Sequence, residues 1–114
     1  MYLLNAFSAN MLAEFPISVT FTEITAADAR LTLACIEADG DSWVSAVGHA
    51  DTARVFESVL GDVVVPCNRV SVTLKAGDTA ILGQYSGPRL PEGATTLPEG
   101  AAIKWIVVLV GRTP

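Results

Sequence analysis

The sequence predicts a single-domain α/β fold, a mixed central sheet of about five strands flanked by helices. Three observations predict it. The chain of 114 residues suffices for one domain with its own hydrophobic core. Short stretches that alternate apolar and polar residues are typical of strands, and two longer stretches carry apolar residues at helical spacing. The last stretch is apolar on both faces, which favours a central strand. We expect one domain over residues 1–114.

The first half of the chain contains two predicted strands and one predicted helix. Residues 3–7 form a short strand, and residues 17–22 alternate apolar and polar side chains. Thr25 suits the cap of a helix that begins directly after it and ends at residues 39–41. Residues 31–33 also alternate, so a strand is the alternative there. The predicted apolar face of this helix consists of Leu31, Ala34, Cys35 and Ala38.

The second half contains another helix and four strands. The helix runs from Asp51 or Thr52 to Leu60, and its apolar face consists of Val55, Phe56, Val59 and Leu60. Residues 86–100 hold three prolines and three glycines and are expected to form a long loop with a functional role. The strands are predicted over residues 42–47, 69–74, 79–85 and 101–111.

Composition excludes several classes of protein. Hydrophobic residues make up 51% of the chain and charged residues 17%, which is not the composition of a disordered protein. The apolar stretch at residues 103–110 is interrupted by Lys104 and is far shorter than the roughly 20 residues that span a bilayer. The N-terminus does not have the pattern of a signal peptide. We therefore expect a cytoplasmic protein without a membrane partner.

The formal net charge of −5 argues against long DNA or RNA as a ligand, because a general nucleic-acid binder needs a basic face. A small anion held by a few arginines and backbone N–H groups is compatible with this charge. An apolar chain with so few charges also indicates that part of its surface is buried against a second copy.

The two cysteines indicate neither a metal site nor a disulfide framework. Cys35 lies in the first predicted helix and is expected to be a small buried side chain. Cys67 follows Pro66 in a loop, where an inert thiol is favoured because no cationic cluster surrounds it in sequence. We expect no metal and no cofactor.

His49 is the only histidine of the chain and the leading candidate for chemistry. Histidine is the side chain suited to proton transfer near neutral pH. His49 follows Gly48 between a predicted strand and a predicted helix, where ligands bind in open α/β sheets and where a phosphate finds free N–H groups. Taken alone, a polar residue without chemistry is the simpler interpretation.

Polar residues at the end of the first predicted strand are further candidates. Asn5, Ser8 and Asn10 either cap a local turn or line the same crevice as His49, because strand ends converge there.

Charged residues later in the chain complete the set. Arg89 and Glu92 lie between two turns of the long loop. They either form a solvated ion pair or provide a guanidinium for a phosphate and a carboxylate for the histidine. Arg69, at the start of its predicted strand, is the remaining candidate.

Three segments of the sequence resemble one known family. The run YLLNAFSANML over residues 2–12 resembles the family's opening, VSAVGHADTA over residues 44–53 its central motif, and YSGPRLPEG over residues 85–93 its late loop. The family is that of the viral anti-CRISPR ring nucleases and their cellular relatives, which degrade cyclic tetra-adenylate. The segments occur in the expected order, and the resemblance spans most of the chain.

The resemblance implies a homodimer that binds this ring, a second messenger of type III CRISPR immunity, across its two-fold axis. In that family cleavage needs no metal. The ribose 2′-OH attacks the neighbouring phosphate, a 2′,3′-cyclic phosphate forms, and a histidine protonates the departing 5′-oxygen. A viral copy would suppress immunity, whereas a cellular copy would switch the signal off.

The resemblance also assigns residues. It implies that His49 and Glu92 are catalytic and that the ligand is bound by Asn5, Ser8, Asn10, Arg69, Gln84 and Arg89. Asp51 departs from the family pattern, since relatives often carry a hydroxyl residue there. Its carboxylate can cap the helix but would repel a nearby phosphate.

Two other functions use the same sequence features. One is a binding protein that sequesters the cyclic nucleotide without cutting it, through the same residues. The other is a protein-interaction factor whose apolar surface docks a host protein and which depends on no nucleotide.

Overall fold

The computed structural model describes residues 1–61 and 63–111, and it confirms the predicted α/β class. Within those residues five strands form one sheet, and a short 3-10 helix (Ala9–Met11) follows the first of them. The strands are β1 (Tyr2–Leu4), β2 (Ser18–Ile24), β3 (Val44–Ala46), β4 (Thr79–Ser86) and β5 (Ala102–Gly111). The helices are α1 (Ala26–Ala38) and α2 (Ala50–Leu60).

The sheet is mixed, with the strand order β2-β5-β4-β1-β3. β1 is parallel to both of its neighbours, and its Leu4 pairs with Ala46 of β3 and with Leu82 of β4. β5 is antiparallel to β2 and β4 and is paired on both sides, as its two apolar faces predicted. The carboxyl ends of three neighbouring strands therefore meet at one edge of the sheet, which is where ligands bind in open α/β folds.

Both helices pack on one face of the sheet. There Phe56 of α2 and Trp105 of β5 meet edge to face, with ring centroids 4.9 Å apart. Gly83 of β4 lies against this pair, because a Cβ at that position would fall 2.6 Å from an atom of each ring. A second core lies on the opposite face, which carries no α-helix; two segments cover the sheet there, residues 7–17, which include the 3-10 helix, and residues 72–74.

Helix α1 begins and ends where the sequence predicts. The Thr25 hydroxyl accepts a hydrogen bond from the Asp28 amide at 3.1 Å, and the Asp28 carboxylate accepts one from the Thr25 amide, which forms a capping box. The predicted buried face is wrong, because Leu31 is 62% exposed and Cys35 is exposed. Small residues all around α1 give little contrast between faces, and the helix rotates to bury another pair, Ala29 and Leu33.

Helix α2 has the predicted face and begins one residue earlier than expected, at Ala50. Val55, Phe56 and Leu60 are buried as predicted. Gly61, at a φ of 69°, ends the helix in a backbone conformation that favours glycine. The first turn of α2 is consequently held at the edge where the strands end.

The predicted strand over residues 69–74 is wrong. This segment is irregular and forms one isolated bridge, between Leu74 and Leu12. The alternation itself is real, since Val72 and Leu74 pack into the second core while Ser71 and Thr73 are exposed. An extended segment buries every second side chain when it pairs within a sheet, and it does the same when it lies across the face of a sheet. Alternation of apolar and polar residues therefore does not distinguish a strand from a covering segment.

The long loop forms as predicted. Residues 87–101, named the late loop below, contain no helix or strand and connect the antiparallel neighbours β4 and β5. Among the residues that the structure describes, no helix is both long and apolar enough to cross a membrane.

Candidate functional site

His49 occupies the N-cap position of α2, at the edge where β1, β3 and β4 end. Its backbone is extended (φ −123°, ψ 128°), and its carbonyl accepts the amide of Ala53 at 3.0 Å. Its imidazole is exposed and makes no capping hydrogen bond to the helix. Both the ring and the first amides of α2 thus remain available to an incoming anion.

Arg69 lies beside His49, although the two are distant in sequence. The Nε of Arg69 donates to the carbonyl oxygen of Gly48 at 2.9 Å. A Cβ at Gly48 would fall 3.3 Å from the Cγ of Arg69, so the glycine leaves room for the arginine stem. The two terminal nitrogens of the guanidinium make no hydrogen bond to any described residue and can bind an anion.

A buried serine fastens the Arg69 segment to the end of β3. The Ser45 hydroxyl donates to the Pro66 carbonyl at 2.6 Å, and the Asn68 side-chain amide donates to the Ser45 carbonyl at 2.8 Å. The Asn68 backbone amide also donates to the Val47 carbonyl at 2.8 Å. Sequence analysis missed Ser45 and Asn68, since their role depends on contacts between segments more than twenty residues apart.

His49 and Arg69 line one open cleft of about 640 Å³, the first cleft. Asn5, which follows β1, completes its polar wall, so three of the predicted site residues come together here. Among the described residues, its lining includes a cation and a histidine and no carboxylate. The residues of the first cleft are Asn5, Ala6, Ala46, Gly48, His49, Arg69, Val70 and Ser71.

A second cleft of about 670 Å³ adjoins the first, because both are lined by Asn5 and Ala6. It contains the predicted ligand residue Gln84 and, across the β4–β5 pair from it, Lys104. Lys104 was noted in the sequence only as an interruption of an apolar strand; its position opposite Gln84 gives it a place in the site. The other lining residues are Phe7, Phe21, Thr52, Leu82, Tyr85 and Ile106.

The late loop forms a third cleft, of about 530 Å³, against the start of α2. Arg89 and Glu92 line it together with Asp51, and the Asp51 carboxylate accepts the Gly93 amide at 3.1 Å. Arg89 and Glu92 do not form the solvated ion pair that was one alternative: within the described residues, the single ion pair joins Arg54 and Glu57.

The first turn of α2 connects the three clefts. His49 lines the first, Thr52 the second and Asp51 the third. A ligand wrapped around this helix start would therefore meet most of the predicted residues at once.

Ser8 and Asn10 lie elsewhere. The Ser8 hydroxyl accepts the Asn10 amide at 3.3 Å and caps the 3-10 helix after β1, which is the local-turn alternative of the sequence analysis. Neither residue lines any of the three clefts. Their assignment to a ligand stays a prediction.

No group of three or more His, Cys, Asp or Glu side chains in the described part of the chain is arranged to hold a metal ion. Both cysteines are free and exposed, Cys67 among them. The side chains that line the three clefts can transfer protons through imidazole or carboxylate and can stabilise negative charge through arginine and lysine.

Comparison with known proteins assigns a family. A sequence model described as STIV B116-like matches residues 1–104. The structure is similar to that of B116 of Sulfolobus turreted icosahedral virus, with a TM-score of 0.78 and 31% sequence identity over 95% of this chain and 97% of that chain. No curated protein sequence is significantly similar to the chain. A match over nearly the whole length at this identity shows that the chain belongs to the STIV B116-like family.

Proposed function

We propose that this protein is a metal-independent ring nuclease that binds and cleaves cyclic tetra-adenylate and thereby suppresses or switches off type III CRISPR immunity. The main support for the proposal is the position of His49 at the start of α2, in one cleft with Arg69. Its imidazole is exposed and makes no capping hydrogen bond to the helix. Membership of a family that includes a viral protein is consistent with it.

The proposed reaction is an internal phosphoryl transfer. The ribose 2′-oxygen bonds to the adjacent phosphorus and gives up its proton to solvent water, while the bond from phosphorus to the 5′-oxygen breaks. His49 delivers a proton to that leaving oxygen, so a free 5′-hydroxyl and a 2′,3′-cyclic phosphate result. In this proposal the terminal nitrogens of Arg69, whose Nε binds the Gly48 carbonyl, stabilise negative charge on the phosphate.

Arg89 and Glu92 enter the site from the late loop. In this proposal Arg89 binds a second phosphate, and the Glu92 carboxylate interacts with the imidazole of His49. Asn5 and Gln84, which line the two adjoining clefts, bind other parts of the ring. Their amide groups suit hydrogen bonding to an adenine edge.

The proposed assembly is a homodimer with one ring on its two-fold axis. Each of the three clefts is open to solvent in one chain, so a second chain facing it would enclose the ligand. Enclosure strengthens each charge contact, because it replaces water by a medium of lower dielectric constant. Two copies of Arg69 and Arg89 would match four phosphates despite the net charge of −5.

The decisive experiment incubates the purified protein with radiolabelled cyclic tetra-adenylate in EDTA. We expect linear products that end in a 2′,3′-cyclic phosphate. His49→Ala is expected to bind the ring and to lose at least about a hundredfold in single-turnover rate, the usual loss for a general acid. Lys75→Ala, at the opposite edge of the sheet, is the control and should cleave normally.

The outcomes separate the alternatives. Binding without any linear product from the wild-type protein would leave a cyclic-nucleotide sponge. Absence of both binding and cleavage would exclude cyclic tetra-adenylate as the ligand and would favour the protein-interaction factor.

A further inference from the structure

Asp51 is joined to the late loop by a long-range hydrogen bond. Its Oδ1 accepts the backbone amide of Gly93 at 3.1 Å, across 42 residues of sequence. Among the described residues, this is the only hydrogen bond that joins the late loop to a helix. The other hydrogen bonds of the loop within the described part of the chain lie inside the loop or join it to β4, such as the bond from the Tyr85 hydroxyl to the Pro88 carbonyl.

The loop end of this bond is a tight turn. The Ala94 amide donates to the Pro91 carbonyl at 3.1 Å, and Gly93 has a φ of 78°. A positive φ at the third position is the mark of a type II turn and explains the glycine. Glu92 directly precedes the tethered amide, so fixing Gly93 fixes the backbone of Glu92 as well.

The helix end of the bond is equally constrained. Asp51 lies in the first turn of α2, two residues after His49, and is partly buried. A carboxylate at this position interacts favourably with the positive end of the helix dipole, which holds it in place. Its Oδ1 accepts the Gly93 amide from this position.

We propose that Asp51 is a positioning residue. By tethering Gly93 it holds the late loop against the start of α2, so that Arg89 and Glu92 stay beside the first turn of that helix. This inference rests on the proposed function for its effect on cleavage, whereas the tether itself is independent of that function. It also gives the carboxylate a role that involves no contact with a phosphate.

The tether is tested in the free protein by amide hydrogen exchange at Gly93. Asp51→Ala should accelerate exchange there by about tenfold, since it removes a hydrogen bond to a charged acceptor. Asp51→Asn keeps an acceptor oxygen and should leave most of the protection. Glu99→Gln, which removes the same charge elsewhere in the loop, is the control. Unchanged exchange in Asp51→Ala would overturn the tether whether or not the protein cleaves any ring.

The positioning role is tested by a double-mutant cycle on cyclic tetra-adenylate. Asp51→Ala should raise KM about tenfold with a smaller change in kcat, and should add little in an Arg89→Ala background, because both changes remove the same contact. Asp51→Asn should stay close to wild type in both constants. Additive losses in the double variant, or tighter binding by Asp51→Ala, would contradict the proposal.

Discussion

Arg69 illustrates what single residues contribute and what sequence can say of them. It lies 21 residues beyond Gly48, yet its Nε donates to that residue's carbonyl and places the guanidinium in the His49 cleft. The sequence marked Arg69 as a candidate but placed it on a strand that does not form. Its function depends on the irregular path of its segment, which the hydrogen bonds of Ser45 and Asn68 determine.

The Nε of Arg69 binds the Gly48 carbonyl, whereas its terminal nitrogens are proposed to bind a phosphate. Substitution of Arg69 tests the second of these roles. Arg69→Ala should weaken binding of cyclic tetra-adenylate about tenfold, since a charge-assisted contact is lost. Arg69→Lys should rescue little, because one ammonium cannot serve both Gly48 and a phosphate. Binding is measured by calorimetry in the His49→Ala background, which prevents turnover.

Lys75→Ala in the same background is the matched control for the loss of one positive charge. Full affinity of Arg69→Ala would show that the guanidinium does not contact the ligand.

Lys104 gives a second test at the residue scale. It lines the second cleft opposite Gln84, and none of the described residues that line this cleft is a carboxylate. Lys104→Gln should therefore weaken ring binding severalfold and should flatten its dependence on salt, as loss of an anion contact does. Calorimetric titrations at two salt concentrations measure both effects. An unchanged salt dependence would place Lys104 outside the ligand contact.

At the scale of elements, the first turn of α2 organises the site, since it contributes to all three clefts. Its position depends on the packing of Phe56 and Trp105, which holds the helix on the sheet. That contact requires a glycine at position 83 in β4. Neither Gly83 nor the contact between Phe56 and Trp105 is part of the site, but both determine where the first turn of α2 lies.

Gly83→Ala should destabilise the protein by about 1–3 kcal/mol, because the added methyl group overpacks the core. Its Cβ would lie 2.6 Å from atoms of both Phe56 and Trp105. The free energy of unfolding is measured by denaturant titration, with Ser86→Ala in the same strand as the control. Phe56→Leu removes one of the two clashing rings and leaves that of Trp105, so it should reduce the further cost of Gly83→Ala without abolishing it. An equal cost in both backgrounds would contradict this packing.

The two helices show when apolar spacing in the sequence predicts the buried face of a helix and when it does not. The face of α2 was predictable because large apolar residues lie on one side of it, and Phe56 and Leu60 are buried as expected. The face of α1 was not, because Ala29 and Leu33 are buried while Leu31 is left exposed. Apolar spacing indicates a helix, but in a helix of small residues it does not decide which side meets the sheet.

At the scale of the whole molecule, a dimer would reconcile an acidic chain with an anionic ligand. We expect calorimetry of the His49→Ala protein to give one ring per two chains, and sedimentation to give twice the mass of 12.0 kDa. Two-fold symmetry of ring and protein is the reason, since each copy then contacts half of the ligand. One ring per chain, bound by a monomer, would contradict the proposed assembly.

The sequence by itself determined the fold class, both helices, the central place of β5 and the candidates Asn5 and His49, because these follow from local periodicity, capping and the end of a strand. Tertiary structure alone decided which side of α1 is buried, that residues 69–74 lie over the sheet, and that Asp51 holds the late loop. These features depend on contacts between segments that are distant in sequence. The free energy of such contacts depends on how the whole chain packs, so a local sequence pattern does not predict them.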